Sequence, residues 1–232
     1  MGLPIIGGTS GALAEVGAAS QKGMHVILKP DDVGSLGQYM ISCVTGSMAA
    51  GLAAASEILQ LRYTGANLLL IYDVVLESFV ATTAFVAGTW AFDVIRATAW
   101  TVDGTGGATQ VPEKLRTSFA APTATARIAT TAALGAGTKT LATVSLRVIR
   151  GNTSTGVAVA GGETQVGVQS SAQISVGYPG AVPIYPSPAV PDQNAYPIVC
   201  AQNEGIAIRA SVPGTGVWVA SFTARVAEVT AY

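Results

Sequence analysis

Few side chains in this sequence are equipped for chemistry. There is one histidine, His25, and there are two cysteines, Cys43 and Cys200. A zinc site needs three or four His, Cys or carboxylate ligands brought together. No HxH, HExxH or CxxC pattern accompanies these residues. A Ser-His-Asp triad would have to recruit His25, and GGTSG at 7–11 is not the GxSxG nucleophile elbow. Asp73 and Glu77 come closest to a carboxylate pair. Four residues apart on one strand they share a face but stand about 13 Å apart, too far for the two carboxyls of a glycosidase. Asp31-Asp32 fall in a turn, where Asp bonds its own backbone. GTGG at 104–107 and GVAVAGG at 156–162 lack the strand–loop–helix setting of a phosphate loop. Asn152-Thr153-Ser154 is a glycosylation sequon with meaning only in a secreted eukaryotic chain. No catalytic residue, metal or cofactor is expected.

The elements that would position such residues are strands. Residues 201–229 are the clearest. Ile206, Ile208, Ala210 and Val212 alternate with Ala207, Arg209 and Ser211. After Pro213-Gly214-Thr215-Gly216 the alternation resumes with Trp218, Ala220, Phe222, Ala224 and Val226. Period two means a sheet with one buried face, and the pair reads as a hairpin. Further strands are expected at 24–29, 37–44, 57–63, 68–80, 89–100 and 141–151. Phe92, Val94 and Trp100 are expected on one side of their strand, and Thr64-Gly65-Ala66-Asn67 reads as a hairpin connection. Residues 45–57 read as a loop with one helical turn. Residues 101–140 read as a long excursion with one or two short strands. Residues 178–197 hold much of the proline, which suits an edge or a covering segment. Trp90, Trp100 and Trp218 lie in strands and are expected in the core. The two cysteines are expected as buried free thiols, a disulfide being open to them only if their strands are neighbours.

Composition bounds the function further. Only 11% of residues are charged, against about 25% in an ordinary soluble domain. The net charge is −1 and the basic residues do not cluster, so nucleic-acid binding is not expected. No run of about 18 strongly apolar residues predicts a membrane helix. Met1–Ala14 lacks a basic start, so no secretory leader is expected. Residues 1–23, rich in Gly, Ala and Ser without helical period, read as an extended arm needing outside contacts to order. Residues 24–232 then form a single domain. The expected fold is all-β, an antiparallel β-sandwich or jelly-roll-like body carrying that arm and long loops. The face formed by Val217, Val219, Ser221, Thr223, Arg225 and Ala227 carries little charge for a surface meant to meet water. Val217, Val219 and Arg225 are the candidate oligomer face. A neighbouring subunit, or the chain's own 101–140 or 178–197 segment, is expected to cover it.

Four stretches, LPIIGGTSGALAEVG, AGLAAASEILQLRYTGANLLLIYDVVL, KLRTSFAAPTATARIATTAALGAGTKTL and IVCAQNEGIAIRASVPGTGVWVASFTARVAEV, resemble small virion structural proteins of tailed double-stranded-DNA bacteriophages. The resemblance spans most of the chain and is one of texture, with no catalytic motif. It implies a non-enzymatic particle component, assembled in the bacterial cytoplasm and located in the virion. Capsid decoration or cement is the role it favours, with tail, neck or fibre as alternatives. The implied partners are the major capsid protein or another virion protein, and further copies of this chain, by analogy a homotrimer. Leu3, Pro4, Ile5, Ile6 and Leu13 of the arm are the candidate lattice contact. The rival from another class is a carbohydrate-binding β-sandwich adhesin, with Tyr178, Tyr185 and Tyr196 as candidate glycan contacts.

Overall fold

The structure is a computed structural model. It describes residues 5–6, 13–14, 36–49, 51–83, 85–153, 164–165, 182–185 and 197–231. The expected strand at 24–29, His25, Asp31-Asp32 and most of 154–196 lie outside these. The chain divides into two units, Met1–Asp32 and Val33–Tyr232. In the first, β1 (Ile5–Ile6) pairs antiparallel with β2 (Leu13–Ala14), Ile5 opposite Ala14.

The second unit is an antiparallel β-sandwich with no helix among its described residues. In chain order its strands are β3 (Gly37–Val44), β4 (Met48–Ala49), β5 (Ser56–Tyr63), β6 (Leu68–Thr83), β7 (Gly88–Val102), β8 (Ala108–Gln110), β9 (Glu113–Lys114) and β10 (Ala124–Ile128). Then come β11 (Thr138–Leu141), β12 (Arg147–Thr153), β13 (Thr164–Gln165), β14 (Val182–Tyr185), β15 (Ile198–Cys200), β16 (Glu204–Ser211) and β17 (Val217–Val229). One sheet runs β13-β6-β17-β3-β9, with β14 and β15 also on β6 and β4 on β17. The other runs β11-β7-β16-β5-β10-β8, with β12 also on β7.

Each main strand presents its alternate apolar side chains to the facing sheet. Tyr39, Ile41 and Cys43 of β3, Trp218, Ala220 and Phe222 of β17, and Leu59, Leu61 and Tyr63 of β5 are buried there together. Phe79 lies at the hub of the aromatic part of this core, edge-on to Phe92 at 5.0 Å and to Trp218 at 5.5 Å. Such aromatic pairs add about 0.5–1.5 kcal/mol each beyond the area they bury.

Several expectations are corrected by the topology. β16 and β17 exist as read, but they are not a hairpin: β16 pairs with β5 and β7, and β17 with β6 and β3. Pro213–Gly216 therefore carries the chain from one sheet to the other. Thr64–Asn67 does the same between β5 and β6. Both strands of a hairpin and both strands of an inter-sheet arch show one apolar face, so alternation alone does not separate them. Residues 101–140 are no excursion: β8, β10 and β11 extend one sheet and β9 the other. The expected strand at 141–151 is two strands, β11 ending at Leu141 and β12 starting at Arg147. Residues 45–57 hold the two-residue β4 and a turn rather than a helical turn.

Trp100 is buried, but not beside Phe92 and Val94 in the inter-sheet core. Ala99 takes φ 48°, the left-handed region that a residue with a Cβ seldom adopts. The conformation breaks the period of β7, and Trp100 lands on the outward side of its sheet, under Lys139. Glu77 is likewise the unopposed residue of a bulge, between the pairs Leu76–Phe222 and Ser78–Ser221.

Candidate interaction surface

The two outward faces of the sandwich differ in how they use charge. On the β7–β16–β5 sheet the outward side chains form ion-paired networks. Arg209 holds Asp93 through Nε at 3.0 Å and Nη2 at 2.5 Å, and Ser145 donates to the same carboxylate at 2.6 Å. Arg62 pairs with Asp103 at 2.9 Å and donates to Asn203. Lys139, Glu57 and Gln60 form a third cluster, Lys139 Nζ lying 2.8 Å from Glu57 Oε2. Parts of the 135–145 stretch pack over this face, since outward Gln60 donates through Nε2 to Gly135 O, Lys139 pairs with Glu57 and Ser145 bonds Asp93.

The β3–β17–β6 sheet presents something else. In register across it stand Ser42, Thr223 and Val75, then Val44, Ser221 and Ser78. Val219 and Val217 extend the row along β17 and are half-buried. Val44 is 57% exposed. The Ser78 and Ser221 hydroxyls bond each other at 2.7 Å. Arg225 and Asp73 are spent on each other: Arg225 Nε lies 2.5 Å from Asp73 Oδ2 and its backbone N–H donates to Oδ1. Glu113 ends the same row on the edge strand β9, and Glu77 stands exposed in the β6 bulge. The Arg225 side chain remains 58% exposed, so this pair contributes little to stability. Between these charges lies a strip of valine, serine and threonine.

Val217, Val219 and Arg225 therefore lie on one outward face, as their alternation requires. The 101–140 segment meets this sheet at its margin, through β9 beside β3, Leu115 on Gln38 and Thr123–Ala124 on Glu228, and forms no strand across the strip. Of the other candidates, Ile5, Ile6 and Leu13 are brought together by the β1–β2 pairing. Tyr185 ends β14 opposite Val74. Leu3, Pro4, Tyr178 and Tyr196 lie outside the described residues.

The groups with shifted acidity are structural. Burial pushes the Cys43 and Cys200 thiols up to about 12, and both are free. Glu204 feels burial raising its pKa, but the Ala201 N–H and the Arg96 guanidinium outweigh it and hold the carboxyl below the usual range. Glu228, which sequence reasoning passed over, is buried and caps the backbone at Thr123 and Ala124, accepting from Thr123 N–H at 2.7 Å. Among the described residues no three His, Cys, Asp or Glu gather as a metal site, and no helix is long and apolar enough to cross a membrane.

Comparison with protein-family models, curated proteins and solved structures returns no match.

Proposed function

We propose that this chain is a non-enzymatic structural protein that works by associating with copies of itself and with a larger particle. The observation that carries the reading is the outward strip of β3, β17 and β6, where one ion pair is set among valine, serine and threonine and the acidic Glu77 and Glu113 stand at the margins. Small side chains let a second surface approach closely. An interface there would desolvate few charges, and its apolar part would stabilise by about 25 cal/mol per Å² before association costs. The opposite outward face, where charges are paired and partly roofed, is the poorer candidate. The particle setting rests on the sequence resemblance alone: a bacteriophage head, with this chain as a decoration or cement protein bridging neighbouring capsid subunits. Many repeated weak contacts then add through avidity.

The test is gold-labelled antibody against this chain on intact particles, viewed by electron microscopy. Label spread over heads is expected. Label confined to tails or fibres moves the role there, and free protein with unlabelled particles ends the virion reading. Deleting residues 1–20 is expected to leave the sandwich folded and to abolish incorporation. Normal incorporation would remove the arm as the lattice contact.

A further inference from the structure

Lys139 has no part in the strip just described, and its environment is unusual for an amine. Its side chain is 2% exposed. Nζ lies 2.8 Å from Glu57 Oε2, donates to Ala136 O, and sits 4.8 Å from the centre of the buried Trp100 ring. The same Glu57 Oε2 accepts from Gln60 Nε2 at 2.7 Å. Gln60 Nε2 also donates to Gly135 O at 2.9 Å, and Gln60 Oε1 accepts from the Gly104 N–H at 3.2 Å. These partners settle which end of the carboxamide is oxygen. Gly104 is required here, because a Cβ would stand 2.5 Å from Gln60 Oε1 and 2.1 Å from Gly135 O.

A buried amine, a carboxylate touching both that amine and a carboxamide nitrogen, and a backbone N–H on the carboxamide oxygen are the parts of an acyl transfer. They supply nucleophile, proton relay, leaving group and oxyanion donor. We propose that the folded protein joins Lys139 to Gln60 by an intramolecular isopeptide bond.

Glu57 takes a proton from the Lys139 ammonium. The freed nitrogen pair attacks Gln60 Cδ, forming the Nζ–Cδ bond, and the charge on Oε1 is held by the Gly104 N–H. Glu57 returns the proton to Nε2, the Cδ–Nε2 bond breaks, and ammonia leaves. The last proton shed by Nζ leaves with it as ammonium. No oxidant or co-reactant is needed. The bond ties β5 to β11 across the outward face of their sheet.

The experiment is the intact mass of the purified full-length protein, followed by tryptic mapping. The expected result is a deficit of about 17 Da, one ammonia, against the mass of the sequence. Trypsin should then yield a branched product joining residues 23–62 to 128–147, uncleaved at Lys139. Lys139→Arg and Glu57→Gln proteins are expected at full mass. Wild-type protein at full mass with Lys139 open to trypsin would overturn the proposal and leave a buried ion pair. So would a deficit mapped elsewhere, such as an asparagine succinimide. A deficit of about 18 Da mapped to Glu57 would overturn Gln60 as the acceptor.

Discussion

At the scale of single residues, charge is placed where it can be neutralised, and acidity follows burial. Cys43 and Cys200 point into the core with thiols raised to about 12, so neither offers thiolate at neutral pH. A disulfide-exchange reagent at pH 8 is therefore expected to label both only as fast as the protein unfolds. Immediate stoichiometric labelling of either in the native protein would contradict their placement. Glu204 makes the opposite prediction. Its folded pKa is depressed below its unfolded value of about 4.3, so it stabilises the fold above that value. The contribution is lost as pH falls through the folded pKa. Urea midpoints for wild type and Glu204→Gln should differ most near pH 7 and converge toward pH 3. A constant gap across that range would show that Glu204 acts by packing alone. Asp93 is held by Arg209 and Ser145 in a half-buried site. Arg209→Ala strands that carboxylate, and breaking a buried pair from one side costs about 3–5 kcal/mol, with partial exposure placing this case at the low end. An unchanged urea midpoint would mean that the pair is no more than a surface contact.

At the scale of elements, β17 is the spine of its sheet, flanked by β6 on one side and β3 on the other. Phe222 sits at its centre, 1% exposed and 5.9 Å from Phe92 across the sandwich. Phe222→Ala should lower stability by about 3–5 kcal/mol, and Phe222→Leu by much less, read from urea unfolding at constant m-value. Equal losses from the two would point to backbone rearrangement instead of a cavity. β17 was legible in the sequence because a half-buried strand writes its burial as period two. So were β3, β5 and the inward part of β7. What escaped was whatever depends on a partner distant in sequence. The arches at Thr64–Asn67 and Pro213–Gly216 look like hairpins because both geometries need an apolar face and a turn. β8, β10 and β11 hide among Gly, Thr and Ala, whose small side chains give weak hydrophobic contrast; in β10, Ala124 and Ala126 are core residues that no periodic signal marks strongly. Trp100 was misplaced because one left-handed residue, Ala99, shifts the period. The Lys139–Glu57–Gln60 cluster gathers β5 and β11 from opposite ends of a long stretch of sequence, and nothing local announces it. Within the candidate surface, the outward row of β17 could be read in advance. The matching rows from β3 and β6 required the register.

At the scale of the whole molecule, the question is where a chain with so little charge puts its charge. One outward face holds Asp93, Arg209, Glu57, Lys139, Arg62 and Asp103 in pairs, whereas the centre of the other carries the Arg225–Asp73 pair, with Glu77 and Glu113 at its margins. Such a division has no benefit for a protein that works alone in water, where both faces need hydration. It suits a body with one face turned to a neighbour. Placing a carboxylate in the strip separates this idea from mere tolerance of apolar surface. Val44→Glu and Val219→Glu remove no inter-sheet contact, so each should change stability by no more than about 1 kcal/mol. If the strip is the self-association surface, each buried carboxylate would go unpaired in the assembly and face its own copy across any two-fold contact. Sedimentation velocity at increasing concentration should then show wild type assembling and both variants remaining monomeric. The control is Thr109→Glu, an exposed position on the outward side of the other sheet. If all three variants sediment like wild type, association does not use this strip. If Thr109→Glu alone is monomeric, the interface lies on the ion-paired face and the β3–β17–β6 strip meets some other surface.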